Sequence, residues 1–390
     1  MTAPPLALYI HFPWCVSKCP YCDFNSHAVQ GALPAARYLA ALAADLDVQA
    51  PIVAGRTITS VFLGGGTPSL FAPGDIARVL EHARNRLAFA PDAEITLEAN
   101  PGTIERGRFA GYRDAGVNRV SLGAQSFDHA TLAALGRIHS PDETRRAAEE
   151  LHAAGLGNFN LDLMYALPAQ NCEGALADID AALALAPAHV SHYQLTLEPG
   201  TLFAARPPAL PDDDTALAML EACRERLAGH GFTRYEVSAY ARTARRCRHN
   251  LNYWEFGDYL GVGAGAHGKM TGVAADSGTP RITRTTRPRE PRRYMSAAGD
   301  PPEARAIAAR ELPFEFLLNA LRLCEGFSPT LFEARTGLAW ATLTSSLVRL
   351  VERGLLECTP ERCRPTARGL DFLNDLLLEF VPESRAGAAG

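Results

Sequence analysis

The sequence predicts an α/β protein: a partial (β/α)6 barrel joined to a C-terminal helical, winged-helix-like module. Three observations predict it. Short apolar, β-branched runs alternate with Ala/Leu/Arg-rich helical stretches from residue 6 to about residue 200. The unusual polar and glycine residues fall at the ends of those runs. Beyond about residue 303 the alternation gives way to helical stretches and two short strand-like runs. Strands alternating with helices imply right-handed βαβ units and a parallel sheet. Such sheets carry their chemistry on the loops at the carboxyl edge. A doubly wound open sheet shows the same alternation and stays open on periodicity alone.

The six expected strands are Leu6–Phe12, Ile58–Leu63, Glu94–Ala99, Asn118–Gly123, Phe159–Met164 and Val190–Leu197. Helical stretches lie near 34–50, 73–89, 104–115, 128–154 (as two helices) and 171–186. Asp212–Gly231 reads as a helix with an acidic start and a glycine stop. Thr233–Ala239 reads as a further strand. Residues 1–240 are thus expected to form the barrel. Residues 241–302 form an extension, in which Asp276–Arg293 reads as a linker or an extended excursion with six arginines. Residues 303–382 read as the C-terminal module: helices over Ala304–Glu325, Pro329–Thr336, Trp340–Arg353 and Gly369–Phe380, with a hairpin from Leu355–Cys358 and Arg362–Pro365. The Gly/Ala-rich tail 383–390 reads as disordered.

With 390 residues, 47% hydrophobic and 21% charged, the chain has an ordinary soluble composition. A net charge of −5 argues against a general polyanion binder. No apolar stretch reaches the roughly 18 residues of a membrane span. The N-terminus lacks a signal-peptide pattern, so the expected location is the cytoplasm. Nine cysteines, an odd number without framework spacing, fit free thiols in a reducing compartment.

Three of those cysteines, Cys15, Cys19 and Cys22, lie within eight residues directly after the first strand. Thiolates suit zinc or iron–sulfur clusters. A structural zinc site wants four ligands, and no second cysteine pair follows; a knuckle completed by His11 or His27 remains an alternative. Three thiolates hold three irons of a [4Fe–4S] cube and leave the fourth open, as a reactive centre requires.

The run Tyr9-Ile10-His11-Phe12-Pro13-Trp14-Cys15…Cys19-Pro20-Tyr21-Cys22 resembles the cluster loop of radical S-adenosylmethionine (SAM) proteins. More narrowly, it resembles the HemN-like coproporphyrinogen dehydrogenases and the related HemW-type haem chaperones. The resemblance implies a [4Fe–4S] cluster on Cys15, Cys19 and Cys22, and SAM as a second cofactor. It assigns SAM contacts to Tyr9 and Tyr21, to Gly65, Gly66 and Thr67 of the Gly64–Pro68 loop, and to Glu98, Gln125, Arg137 and Asp162. Thr196 is a weaker transfer, made by its position in the sixth strand. No catalytic side chain is assigned.

His249-Asn250-x-x-Tyr253-Trp254 resembles the signature of the haem chaperones. Histidine is a common axial ligand of haem iron, and aromatics cover porphyrin faces. His249 is therefore the expected haem-binding residue, with Cys247 a lesser alternative. Two departures separate the chain from the dehydrogenases: Phe24 stands where they carry a further cysteine, and only eight residues precede Tyr9, where they carry a long extension. The expectation is a carrier that binds haem and delivers it to target haem proteins, respiratory enzymes among them. Homodimerisation and peripheral contact with membrane-bound acceptors stay open. The second reading is radical oxidative decarboxylation of coproporphyrinogen III. The arginines of 281–293 raise tRNA as a third, but no aromatic stacking set accompanies them, so a solvated basic loop or contact with porphyrin propionates is expected instead.

Overall fold

The computed structural model describes residues 3–103, 107–273 and 280–382. Six strands line the barrel: β1 (Leu6–Phe12), β2 (Thr57–Gly65), β3 (Ala88–Ala99), β4 (Arg119–Gln125), β5 (Phe159–Tyr165) and β6 (His189–Gln194). Each pairs in parallel with the next in chain order. A doubly wound sheet reverses its order at a switch point; this order never reverses, so that alternative is excluded.

The strands form where apolar runs are buried on both faces, as parallel strands between layers must be. In β1, six of the seven residues are buried and Tyr9 alone is half-buried. The helices Ala35–Gln49, Pro73–Arg86, Pro141–Ala153 and Cys172–Ala184 match the expected segments, and His129–Ala134 precedes the third as the expected second piece. Part of the 104–115 segment forms Arg108–Asp114; residues 104–106 lie outside the described residues. Local chemistry sets the boundaries. Ser140 and Glu143 form a capping box at Pro141–Ala153: Glu143 N donates to Ser140 Oγ (3.3 Å) and Ser140 N to Glu143 Oε2 (2.7 Å). Apolar helix faces then close on the sheet, with Tyr38, Leu42, Leu80 and Leu151 fully buried beside Ile10, Phe12 and Leu97.

The sheet is wider than the sequence suggests. Past β6 stand β7 (Thr233–Arg234) and β8 (Ala239–Ala241), two short antiparallel pieces where one strand was expected. On the other side, β9 (Asp258–Val262) pairs in parallel with β1. It is followed by β10 (His267–Val273), β11 (Pro280–Thr286) and β12 (Glu303–Ala306), all antiparallel. The arginine-rich stretch expected to be a linker or solvated loop is therefore corrected in part. Its strand β11 is paired on both edges, and Arg287 is buried in an ion pair with Asp45 of the first helix. Arg284 bonds Tyr259 (2.7 Å) and pairs with Glu315. The expected helix from Ala304 is likewise corrected: 303–306 is an edge strand, and the helix spans Leu312–Ala320. Thr- and Arg-rich strands lack the apolar alternation by which strands are read, and pairing with β10 and with each other supplies the missing context.

In the C-terminal module, Pro329–Thr336, Ala341–Glu352 and the hairpin Leu356–Cys358/Cys363–Pro365 make the winged-helix-like unit around Phe316, Phe327 and Phe332. Residues 373–378 pack on it as a final short helix, preceded by Ala367–Asp371. The hairpin register sets Cys358 opposite Cys363, and the two are joined as a disulfide. Free thiols were expected at both; a pairing made by strand register leaves no mark in cysteine spacing. The tail 383–390 lies outside the described residues.

Candidate functional site

Period-2 alternation turns one face of every barrel strand inward. On β4 this face is Arg119, Ser121, Gly123 and Gln125; on β5 it is Asn160, Asp162 and Met164. These residues bound a cavity of about 760 Å³ inside the barrel, ample for a ligand larger than a typical metabolite. Its mouth is formed by the loop after β1, its base by the helix Arg248–Trp254, which packs against β1 and β2.

Cys15, Cys19, Tyr21 and Cys22 all face this cavity. Trp14–Cys15 pairs with His27–Ala28 as a small ribbon that fixes the start of the loop. Burial pushes the Cys15 thiol up, and hydrogen bonds from Thr67 and Ser26 oppose this. Among the described residues no three His, Cys, Asp or Glu side chains converge on a single-ion position. His11, an alternative zinc ligand, is committed elsewhere. Its Nε2–H donates to Asn25 O (2.9 Å), which leaves Nδ1 to accept from the Tyr9 hydroxyl (3.0 Å). Burial pushes its pKa down to about 4, so it stays neutral.

The Gly64–Pro68 loop lies against the cysteine loop so closely that only glycine fits. A Cβ on Gly66 would stand 2.5 Å from Trp14 O, and one on Gly65, at φ +112°, would stand 2.3 Å from the His11 ring. Gly66 N and Thr67 N donate to Phe12 O and Trp14 O, both at 2.7 Å. Gly65 N donates to Glu98 Oε2 (2.9 Å). Burial, with Asp162 adding to it against that bond, pushes Glu98 up to about 7.

Arg137 reaches from beyond β4 to the mouth. It donates to Cys19 Sγ (3.5 Å), to Gly123 O (2.8 Å) and to Asn100 Oδ1, while its buried Nε has no partner. Gln125, at φ 67° on a break in strand register, accepts from the Tyr193 hydroxyl (2.9 Å). Asp162 accepts from Ser121 Oγ and Asn160 Nδ2, both at 2.9 Å. Tyr21 packs on Phe203. Thr196 also lines the cavity, but from the loop past the end of β6 at Gln194. Every sequence-assigned cluster and SAM residue thus borders this one cavity. The donor set suits the implied groups: three soft thiolates, a glycine turn that lets the backbone approach closely, a guanidinium fork with an unpartnered nitrogen, and two carboxylates.

His249 stands at the base, 1% exposed. Its Nδ1 meets Ser60 Oγ (3.1 Å) and its Nε2 the Tyr253 hydroxyl (3.0 Å). Burial pushes its pKa down to about 3. Ligation of iron by Nε2 therefore requires Tyr253 to let go. Cys247 points away, its thiol against Glu94 (3.6 Å) and pushed up to about 12 by burial. Trp254 faces the cavity with Nε1 buried and unpartnered, and its ring lies 4.4 Å from the Arg322 guanidinium. A second cavity of about 410 Å³ shares Tyr9, Glu98 and Tyr253 and opens toward His267 and Arg289. The sequence reading missed Arg119, Ser121, Asn160 and Tyr193. Their alternation with apolar residues along β4, β5 and β6 was the available signal.

Fold and site together define a radical SAM protein, and the radical SAM superfamily pattern matches residues 9–198. The HemN C-terminal domain pattern matches residues 307–372. A protein of Escherichia coli (strain K12) named heme chaperone HemW is 48% identical over 380 residues, covering 97% of this chain and 99% of its own. The Haemophilus influenzae protein of the same name is 44% identical over 384 residues, with the same coverage. A mouse protein named radical S-adenosyl methionine domain-containing protein 1, mitochondrial, is 36% identical, covering 97% of this chain and 87% of its own. The chain belongs to the HemW family of the radical SAM superfamily. In fold it is also similar to coproporphyrinogen III oxidase (HemN) from Escherichia coli, with a TM-score of 0.81, 23% identity, and 97% and 90% of the two chains covered. The radical SAM fold implies a [4Fe–4S] cluster and SAM.

Proposed function

We propose that this protein is a haem chaperone: it binds haem at the base of the barrel cavity and passes it to target haem proteins. One observation carries the reading. The His249–Trp254 motif folds as the helix that floors the same cavity whose mouth carries the three thiols. Full-length relatives named heme chaperone HemW support it. Phe24, in place of the dehydrogenases' extra cysteine, is 61% exposed and lends no ligand.

In this reading Cys15, Cys19 and Cys22 hold the cluster. Arg137, Gly65, Gly66 and Thr67 orient SAM through its methionine end. Glu98, Asp162, Gln125, Tyr9 and Tyr21 complete its seat. Cluster and SAM supply one-electron chemistry when bound; the surrounding strands exclude water. His249 takes the haem iron by exchanging its Tyr253 partner for the metal. Respiratory enzymes as acceptors, a homodimer, peripheral contact with membrane-bound acceptors and a cytoplasmic setting belong to the same proposal. Among the described residues no helix is long and apolar enough to cross a membrane.

Anaerobically reconstituted protein titrated with ferric haem tests this, alongside a second sample given coproporphyrinogen III, SAM and reductant. Saturable haem binding, followed by activation of an apo haem enzyme, supports the proposal. Formation of protoporphyrinogen overturns it.

A further inference from the structure

Arg119 is the buried charge that the site described so far does not use. It opens β4 on the inward face and borders the cavity near its base, on the side of His249. Its residue exposure is 2%. Among the described residues no ion pair or hydrogen bond reaches its guanidinium, and its Nε is buried without a partner. The nearby carboxylates are already committed. Glu94 Oε1 accepts from Arg248 N (2.9 Å) and His249 N (3.2 Å). Asp162 is taken by Ser121 and Asn160. Thr96, the register partner of Arg119 on β3, also has a buried hydroxyl with no partner.

Glu94 and Asp162, bonded only to neutral groups, attract the Arg119 charge across space, but they leave its N–H donors without acceptors, and a buried donor left unmade costs free energy. Such donors, facing a cavity, are free for an acceptor that a ligand brings. The planar fork matches a carboxylate in two parallel N–H···O bonds. We infer that Arg119 is a carboxylate-binding subsite at the base of the cavity, and that the carboxylate it takes is a propionate of bound haem. The inference rests on the haem reading above for the identity of the ligand, and on Arg119 itself for its chemistry. SAM also carries a carboxylate. Arg137 stands at the other end, where its fork meets Gly123 O. Gly123 is four residues along β4 from Arg119, a separation of about 13 Å. A methionine carboxylate seated at Arg137 does not reach Arg119. The apolar body of a porphyrin would meanwhile lie against Phe62, Met164 and Trp254 of the same cavity.

The test compares ferric haem with its dimethyl ester, in which both propionates are neutral, on the reconstituted full chain. Wild type is expected to bind haem about ten- to a hundred-fold more tightly than the ester, as a charge-assisted pair warrants. Arg119→Gln is expected to lose that preference while binding the ester and SAM as wild type does. Arg119→Lys is expected to keep part of it. A wild type that binds haem and its ester equally overturns the propionate assignment whatever the variants do. If SAM affinity falls in Arg119→Gln while haem binding holds, the subsite takes a carboxylate, but from SAM. If neither ligand responds, Arg119 is only a counter-charge to Glu94 and the inference fails. A wild type that binds no haem defeats the chaperone reading separately, and the SAM arm then decides whether Arg119 is a carboxylate site at all.

Discussion

Arg137 and Cys19 lie 118 residues apart in the chain, yet an Arg137 Nη donates to the Cys19 sulfur at 3.5 Å. The same guanidinium is tied to Gly123 O at the end of β4. In the proposed reading Cys19 holds the cluster, and a cation against its sulfur sits where the carboxylate of SAM would approach. Loss of Arg137 is therefore expected to act on SAM before it acts on the cluster. Arg137→Ala should weaken SAM binding about ten- to a hundred-fold, the worth of a charge-assisted hydrogen bond, with iron and sulfide content retained. Equilibrium SAM binding and metal analysis on the reconstituted variant check this; unchanged SAM affinity would remove Arg137 from the site.

Glu98 gives a pH dependence with a definite sign. Its pKa is about 7 in the folded chain, raised mainly by burial from a usual value near 4.5. The native state thus keeps a proton that the unfolded state has released. Stability falls as pH rises from about 4.5 through 7 and is level above that. Glu98→Gln removes this loss while keeping an acceptor for Gly65 N. The stability gained by the variant over wild type, without ligand, should grow between pH 5 and pH 8, by at most about 3 kcal/mol. Paired denaturation curves at the two pH values measure it. A difference that does not change with pH would show Glu98 to be ionised throughout.

Tyr253 holds the nitrogen that His249 would offer to iron. Tyr253→Phe removes that competitor without emptying the space. Haem affinity should rise about two- to ten-fold, the worth of one neutral hydrogen bond. His249→Ala should change the haem absorption spectrum and weaken binding. Spectral titration of the two variants separates the roles. An identical spectrum in His249→Ala would end the assignment of His249 as ligand.

The ion pair between Arg287 and Asp45 joins the strand β11 region to the first barrel helix, and Asp45 is held further by Tyr294 Oη (2.9 Å) and Gly263 N (3.1 Å). Arg287→Ala leaves that carboxylate buried with its cation gone. A loss of about 3–5 kcal/mol is expected, read by urea denaturation. An effect within about 0.5 kcal/mol, as at a solvated surface arginine, would contradict the burial described.

Much of the site was legible because its chemistry is local. Cys15, Cys19 and Cys22 sit on one loop, and the Gly64–Thr67 turn carries its meaning in consecutive glycines. The strands β1 to β6 were legible because parallel strands buried on both faces are apolar along their whole length. β11 and β12 were not. Their stability comes from the pairing of β11 with β10 and of β12 with β11, and from ion pairs such as Arg284 with Glu315, contacts that no window of sequence contains.

The sequence by itself determined the residue types that meet at the cavity: thiols, glycines, two carboxylates, a fork of arginine and a histidine beside a tryptophan. Spacing and alternation were enough for that, because ligand chemistry and strand period are properties of short segments. Tertiary structure alone decided their relative placement. It set Arg119 among committed carboxylates, bound both His249 nitrogens to Ser60 and Tyr253, and floored the barrel with the His249 helix. Those outcomes depend on strand register and on the packing of segments far apart in the chain, where burial takes an ordinary charge or imidazole out of water and fixes what it can meet.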